Sequence, residues 1–187
     1  MKRFVPALLI VMLLAGCAPE VIGQVRVTRV IDGDTIEITG GIRVRYIGID
    51  TPEVYPQAEY YGFEAAEKNR EMVEGKLVEL EKDVTDTDRY GRLLRYVYAD
   101  GLFVNAELVR EGFARACPYP PDTEYEDLFF RLEEQARADR RGMWHRGSSP
   151  APGEEALVRM GEQCVAPRRF REQAVLIRLR TCIIRNV

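Results

Sequence analysis

The sequence predicts an α+β domain in which about five strands close into a small barrel and three helices pack against it. Three observations lead there. Short runs alternate at the two-residue period of a strand. Three other runs space apolar residues at the period of a helix. The connections between them are short and carry Gly, Asp and Pro. With 187 residues and 46% hydrophobic composition, the chain holds one domain with a real core plus appendages.

Residues 25–31 read Val-Arg-Val-Thr-Arg-Val-Ile, a strand pattern that Asp32-Gly33-Asp34 turns. A second strand covers 35–39 and a third 42–49, with Gly40-Gly41 as the hairpin turn between them. Pro52 removes a ladder donor and ends the third strand in the run Asp50-Thr51-Pro52-Glu53. Residues 61–74 form a helix pattern, with Phe63, Ala66, Arg70 and Val73 at helical spacing and Gly75 as the stop. Strands follow at 76–84 and 93–99, and Asp100-Gly101 makes the next turn. A short amphipathic helix at 104–111 carries Leu108 and Val109, and 113–117 makes a last short strand. A longer helix at 124–141 presents Leu128, Phe129, Leu132 and Ala136 on its apolar side, and Gly142-Met143-Trp144 closes it.

The ends read differently. Lys2 and Arg3 precede a twelve-residue apolar run, too short to span a bilayer and matched to the apolar region of an export signal. Leu14-Ala15-Gly16-Cys17 resembles a bacterial lipobox, in which the signal is cut before a cysteine that carries lipid. The expected organisation is therefore a signal peptide at 1–16, a lipidated tether at 17–23 anchored through Cys17, and a globular domain at 24–146. A Gly/Ser/Pro-rich linker at 147–153 and a C-terminal tail at 154–187 follow. The expected location is outside the cytoplasm, on the cell membrane or an outer membrane, as a monomer. A plain signal peptide and an uncleaved anchor are the competing readings of the N-terminus. Cys117, Cys164 and Cys182 remain for an oxidising compartment, and a Cys164–Cys182 bridge is one possible pairing. No cysteine pair has the close spacing of a zinc knuckle and His145 lies apart, which speaks against a structural zinc site.

Charge excludes one class of function. Residues 17–150 carry 18 basic and 26 acidic side chains, whereas 151–187 carry 7 basic and 4 acidic. An acidic body does not bind nucleic acid by bulk attraction. Any such contact must be local, through arginines in a cleft, because salt screens the wider repulsion beyond about 8–10 Å.

One set of charged residues supplies such a cleft with chemistry. Asp34 and Asp50 are hard oxygen donors suited to Ca²⁺ or Mg²⁺. Glu53, just past a strand end, could hold a water and take its proton. Arg45 and Arg92 can each pair with phosphate oxygens and favour the more negative transition state. Each piece alone has a bland reading: Asp-Gly-Asp is more often a turn than a metal site, and Tyr90-Gly91-Arg92 is an ordinary turn. The joint order and spacing are what carry the signal.

Three runs carry a resemblance: Val30-Ile31-Asp32-Gly33-Asp34-Thr35, residues 45–53 (Arg-Tyr-Ile-Gly-Ile-Asp-Thr-Pro-Glu) and Asp88-Arg89-Tyr90-Gly91-Arg92. Tyr98-Ala99-Asp100-Gly101, Val104-Asn105 and Leu108-Val109-Arg110-Glu111-Gly112 extend it. Over residues 24–144 the chain resembles the staphylococcal nuclease (thermonuclease) family. The resemblance implies a five-stranded OB-fold β-barrel with three packed helices. It implies a Ca²⁺-dependent nuclease acting on DNA and RNA, in which water attacks phosphorus, the bond to the 5′ oxygen breaks and 3′-phosphorylated products remain. By motif position, Asp34 and Asp50 match the calcium carboxylates, and Thr51 the residue that ligates through its carbonyl. Glu53 matches the general base, and Arg45 and Arg92 the phosphate-binding arginines. Arg89 and Tyr90 match a basic–tyrosine pair on a terminal phosphate, with arginine here for the lysine of the family type, and Asp32 matches an acid beside the metal. The type has two tyrosines where this chain reads Pro118-Tyr119-Pro120, so Tyr119 is the residue left to stack a base. The loop after Glu53 is shorter than in the type, and the body is acidic where the type is basic.

Two other functions compete: a non-catalytic OB module binding nucleic acid or protein at the envelope, and a structural lipoprotein using the barrel as scaffold. The complete charged set argues against both. One geometric tension remains. Arg45 and Asp50 are an odd number of positions apart, so a regular strand would point them to opposite faces. Gly48 is the expected place for a bulge that resolves it.

Overall fold

A computed structural model describes residues 21–145 of the 187. The expected signal segment, Cys17, the linker, the tail and the Cys164–Cys182 pairing lie outside the described residues. Cys117 lies inside and is disulfide-bonded.

Among the described residues the architecture follows from eight strands and three α-helices. They run β1 (Val21–Val30), β2 (Thr35–Ile38), β3 (Ile42–Tyr46), β4 (Ile49–Asp50), α1 (Gly62–Val73), β5 (Leu77–Glu81), β6 (Leu93–Ala99), β7 (Leu102–Phe103), α2 (Val104–Arg110), β8 (Arg115–Ala116) and α3 (Glu126–Asp139). Neighbours in the main sheet are β3-β2-β1-β5-β6-β7, and an additional parallel β3–β6 pairing closes five of these strands into a barrel. This is the α+β, five-stranded OB-fold barrel with three helices that the sequence predicted. β1 starts at Val21, inside the stretch expected to be tether, and pairs with both β2 and β5. Its register shifts between Ile22 and Val25 and again between Val27 and Arg29, bends that let one strand serve two sides of a barrel.

Alternation along the strands sends Val27, Ile36, Val44, Val78, Leu80 and Val97 inward, all fully buried. The helices close the barrel with Val104, Leu108 and Val109 of α2 and Phe129 of α3. Phe63 departs from its expected place. It is 64% exposed, because α1 buries Ala65, Ala66, Asn69, Met72 and Val73 instead. Two buried amides tie helices to the barrel. Asn105 donates to the Ile47 carbonyl (3.0 Å) and accepts from the Val97 N–H (3.0 Å). Asn69 accepts from the Tyr46 hydroxyl (2.9 Å) and donates to the Asp32 carbonyl (3.1 Å).

The third expected strand is split. β3 ends at Tyr46 and β4 begins at Ile49, with Ile47-Gly48 as a turn between them. Gly48 has φ +77, and a Cβ there would stand 2.5 Å from Phe129 Cε2. Its carbonyl accepts the Cys117 N–H (2.8 Å), which docks β8 beside β4. Only glycine provides both the left-handed backbone and the room for the aromatic ring. Gly48→Ala is therefore expected to cost about 2–4 kcal/mol, combining left-handed strain with an overfilled core. Urea unfolding followed by circular dichroism checks this through the midpoint.

Candidate active site

The break at Gly48 places Asp50 where Arg45 can reach it. Arg45 Nη2 lies 2.8 Å from Asp50 Oδ1, and Arg45 Nη1 is ion-paired with Asp34 Oδ1. One guanidinium thus spans both carboxylates, although the residues sit on β3, β4 and the turn after β1. The odd spacing no longer opposes a common pocket.

Asp34 is only 4% exposed, so its charge needs compensation inside the fold. Besides Arg45, its Oδ1 accepts from Thr35 Oγ1 (3.2 Å), and its Oδ2 accepts from the Thr51 N–H (2.9 Å) and Thr51 Oγ1 (3.0 Å). Asp32 shapes the turn by accepting the Asp34 N–H at Oδ1 (3.1 Å). Gly33 lets that turn approach Thr51: a Cβ there would stand 2.6 Å from Thr51 Oγ1.

Electrostatics tie the remaining groups to the same charges. Burial raises the Asp32 carboxyl above its ordinary range, against the attraction of Arg45 and, more weakly, Arg92. Glu53 is exposed along part of its side chain. Loss of water around its carboxyl raises it first, then repulsion from Asp32, with Arg45 opposing and Asp50 and Glu59 adding to the rise. The segment after Glu53 is pinned at its base: the Glu53 N–H donates to Glu59 Oε2 (3.1 Å), and the Glu59 N–H donates to the Glu53 carbonyl (2.8 Å).

Arg92 comes from the loop between β5 and β6. Asp88 builds that loop, accepting the Tyr90 N–H (2.9 Å) and Arg92 N–H (3.0 Å) at Oδ1 and Arg92 Nε (2.7 Å) at Oδ2. Buried Arg95 anchors the loop from below, through the Asp86 carbonyl (3.0 Å) and the Asp86 carboxylate (2.7 Å). Tyr90 is exposed, with the guanidinium carbons of Arg89 and Arg92 at 4.8 and 5.5 Å from its ring centre. Tyr119 is 75% exposed on a separate turn. That turn meets the same loop through Asp122, whose Oδ1 accepts the Val84 (3.0 Å) and Thr85 (2.7 Å) N–H groups.

The structure brings Asp34, Arg45, Asp50 and Thr51 into direct contact, with Asp32 bonded to the Asp34 N–H. Glu53 and Arg92 lie within electrostatic reach of this set, while Arg89 and Tyr90 stand on the β5–β6 loop and Tyr119 on the turn that meets it. Sequence reading quoted Asp88 within a motif but gave it no role, and it did not single out Glu59 or Arg115. Asp88 was legible as an Asp two residues before a turn N–H, a common side-chain turn. Arg115 was not: it opposes Asp50 across the β4–β8 pair, a long-range register.

The donors that could hold a cation are all oxygen: the Asp34 and Asp50 carboxylates and the Thr51 backbone. Among the described residues no cluster of three or more His, Cys, Asp or Glu side chains is poised for a metal. Two carboxylates completed by backbone and water oxygens fit a hard divalent ion and do not fit zinc or copper.

Comparison with known proteins converges on one family. Residues 43–146 match the model of the family described as staphylococcal nuclease homologue. The chain is 42% identical over 129 residues to the SPbeta prophage-derived endonuclease YokF of Bacillus subtilis, covering 65% of this chain and 44% of that protein. It is 41% identical over 129 residues to the endonuclease YncB of the same organism, covering 65% and 61%. It is 40% identical over 126 residues to the thermonuclease of Staphylococcus intermedius, covering 64% and 75%. The match thus spans less than two thirds of either Bacillus relative.

Asp88 yields a pH-dependent prediction. Loss of water pushes its carboxyl up, but hydrogen bonds from the Arg92 side chain and from the Arg92 and Tyr90 backbone outweigh this and hold it below 3.8. The stability it contributes is then present above the ordinary carboxylate range and is lost as pH falls through the lowered value. Asp88→Asn should be less stable than the parent by about 1–2 kcal/mol at neutral pH. The gap should close on acidification below 3.8, as read by urea unfolding over a pH series.

Proposed function

The chain belongs to the staphylococcal nuclease homologue family, and from that premise we propose that it is a Ca²⁺-dependent endonuclease that hydrolyses DNA and RNA outside the cytoplasm while tethered to a membrane. The observation that carries the proposal is the single Arg45 guanidinium spanning Asp34 and Asp50, with Glu53 and Asp32 in the same field. Scattered surface charges would not share one cation.

Asp34, Asp50 and the Thr51 carbonyl are the groups that would hold Ca²⁺. Bound there, the ion supplies positive charge to the phosphate oxygens as negative charge builds on them. The remaining work belongs to the chain. Glu53 accepts a proton from a water as that water's oxygen forms its bond to phosphorus. Its place just past the end of β4, partly withdrawn from water and beside Asp32, is the position a base for that water needs. Arg45 has five N–H donors, enough to face the carboxylates and a phosphate oxygen together. Arg92, held at Nε by Asp88, keeps both terminal nitrogens for a second phosphate oxygen and for the departing 5′ oxygen. The phosphorus–O5′ bond breaks, the departing oxygen, steadied by Arg92, takes up a proton from that guanidinium or from solvent, and a 3′-phosphate and a 5′-hydroxyl remain. Arg89, Tyr90 and Tyr119 receive the neighbouring phosphate and base. Every group comes from one chain, which suits a monomer.

Cys17 carries the anchor in this reading, and hydrolysis outside the cytoplasm spares the cell's own nucleic acid. Nutrient recovery and clearance of extracellular DNA both suit that placement.

Plasmid DNA and RNA should be degraded with Ca²⁺ and spared by a calcium chelator. Glu53→Gln should lower kcat by about 10²–10⁴ while oligonucleotide binding persists. Arg45→Ala and Arg92→Ala should each lose about 10²-fold or more. Rates near the parent's in all three variants would end this assignment. Separately, Cys17→Ser should move the protein from the membrane to the soluble fraction and abolish labelling with a fatty-acid analogue.

A further inference from the structure

Beside the catalytic groups lies a groove that none of them uses. Its volume is about 510 Å³, within the range of small-ligand pockets. Ile31, Val54 and Ala66 line its apolar part, and Tyr55 and Phe63 flank it at 77% and 64% exposure. Two of its lining residues are chain neighbours of the site: Ile31 precedes Asp32, and Val54 follows Glu53. Leaving a phenylalanine and a tyrosine in water opposes folding-driven burial, and such patches mark binding surfaces.

Charge decides what fits. Glu64 and Glu67 also line the groove, so a phosphate would be repelled. Arg70 does not reverse this, because Glu67 and Glu74 already hold it. A nucleobase meets every requirement. Its faces stack on exposed aromatic rings, and its N–H edge meets acceptor-only carboxylates. Its sugar-phosphate backbone stays outside, toward the arginines.

We propose that the groove between Tyr55 and Phe63 is an additional subsite that takes a base of single-stranded substrate one step from the cleaved phosphate. The subsite rests on the nuclease reading above and extends it to substrate choice. It favours strands whose bases are free to splay.

The test compares two substrates: a single-stranded dodecanucleotide, and a p-nitrophenyl ester of a mononucleotide, which has no neighbouring base. The ratio of kcat/KM for the first over the second should fall about 10-fold in Phe63→Ala or Tyr55→Ala, as loss of one stacking contact predicts. Removing the base adjacent to the cleavage point should lower the parent's rate by a similar factor and add little in the double variant. Both side chains are exposed, so the variants should keep the parent's melting temperature. An unchanged ratio, with the parent cutting both substrates, overturns the subsite alone. A parent that cuts neither overturns the nuclease reading and this subsite with it. A dimer by sedimentation that is lost in Phe63→Ala would assign the groove to a second copy and overturn the proposal.

Discussion

The Arg45 guanidinium between Asp34 and Asp50 is the contact on which the rest of the site depends. A carboxylate as enclosed as Asp34 is tolerated only when a positive charge and hydrogen bonds replace the lost water. Arg45 supplies the charge, while Thr35 and Thr51 supply donors. Removing one partner from such a pair generally costs about 3–5 kcal/mol, because the other charge stays buried. The bridge also fixes three chain segments relative to one another. The turn after β1, the end of β3 and the end of β4 cannot separate without exposing an uncompensated charge.

The barrel is arranged around that constraint. The left-handed Gly48 interrupts the strand so that Asp50 returns to the side of Arg45, and the Phe129 ring fills the space left by the missing side chain. Asn105 satisfies the Ile47 carbonyl at the break and joins it to α2. Asn69 performs the same task for the Asp32 carbonyl from α1. On the other side, Asp88 and the Arg95–Asp86 pair make the β5–β6 loop rigid, so Arg92 is presented from a fixed frame. Polar groups inside this fold serve mainly as connectors between elements.

The proposed reaction asks an acidic protein to meet a polyanion. Arg45, Arg89 and Arg92 supply the local positive charge that this reading needs, beside the carboxylates of Asp32, Asp34, Asp50 and Glu53. Local charge acts within a Debye length, and the wider repulsion is screened. The exposed aromatics complement this, since Tyr90, Tyr119, Tyr55 and Phe63 offer flat apolar faces that bear no charge.

The sequence by itself determined the elements and the inventory. Alternation, helical spacing and turn residues foretold the barrel strands and three helices, with ends shifted by a few residues and one strand divided. The charged motifs named Asp34, Arg45, Asp50 and Thr51, which the structure brings into contact. Those features are written in near neighbours, where backbone sterics and short-range hydrogen bonds decide. Other features belong to the tertiary structure alone. The parallel β3–β6 closure, the outward turn of Phe63, the placement of Arg115 opposite Asp50 and the support of Arg92 by Asp88 and Arg95 all depend on packing or long-range register. So does the resolution of the Arg45–Asp50 spacing. A two-residue period gives each side chain a face, but only the bend at Gly48 against Phe129 decides which faces end up together.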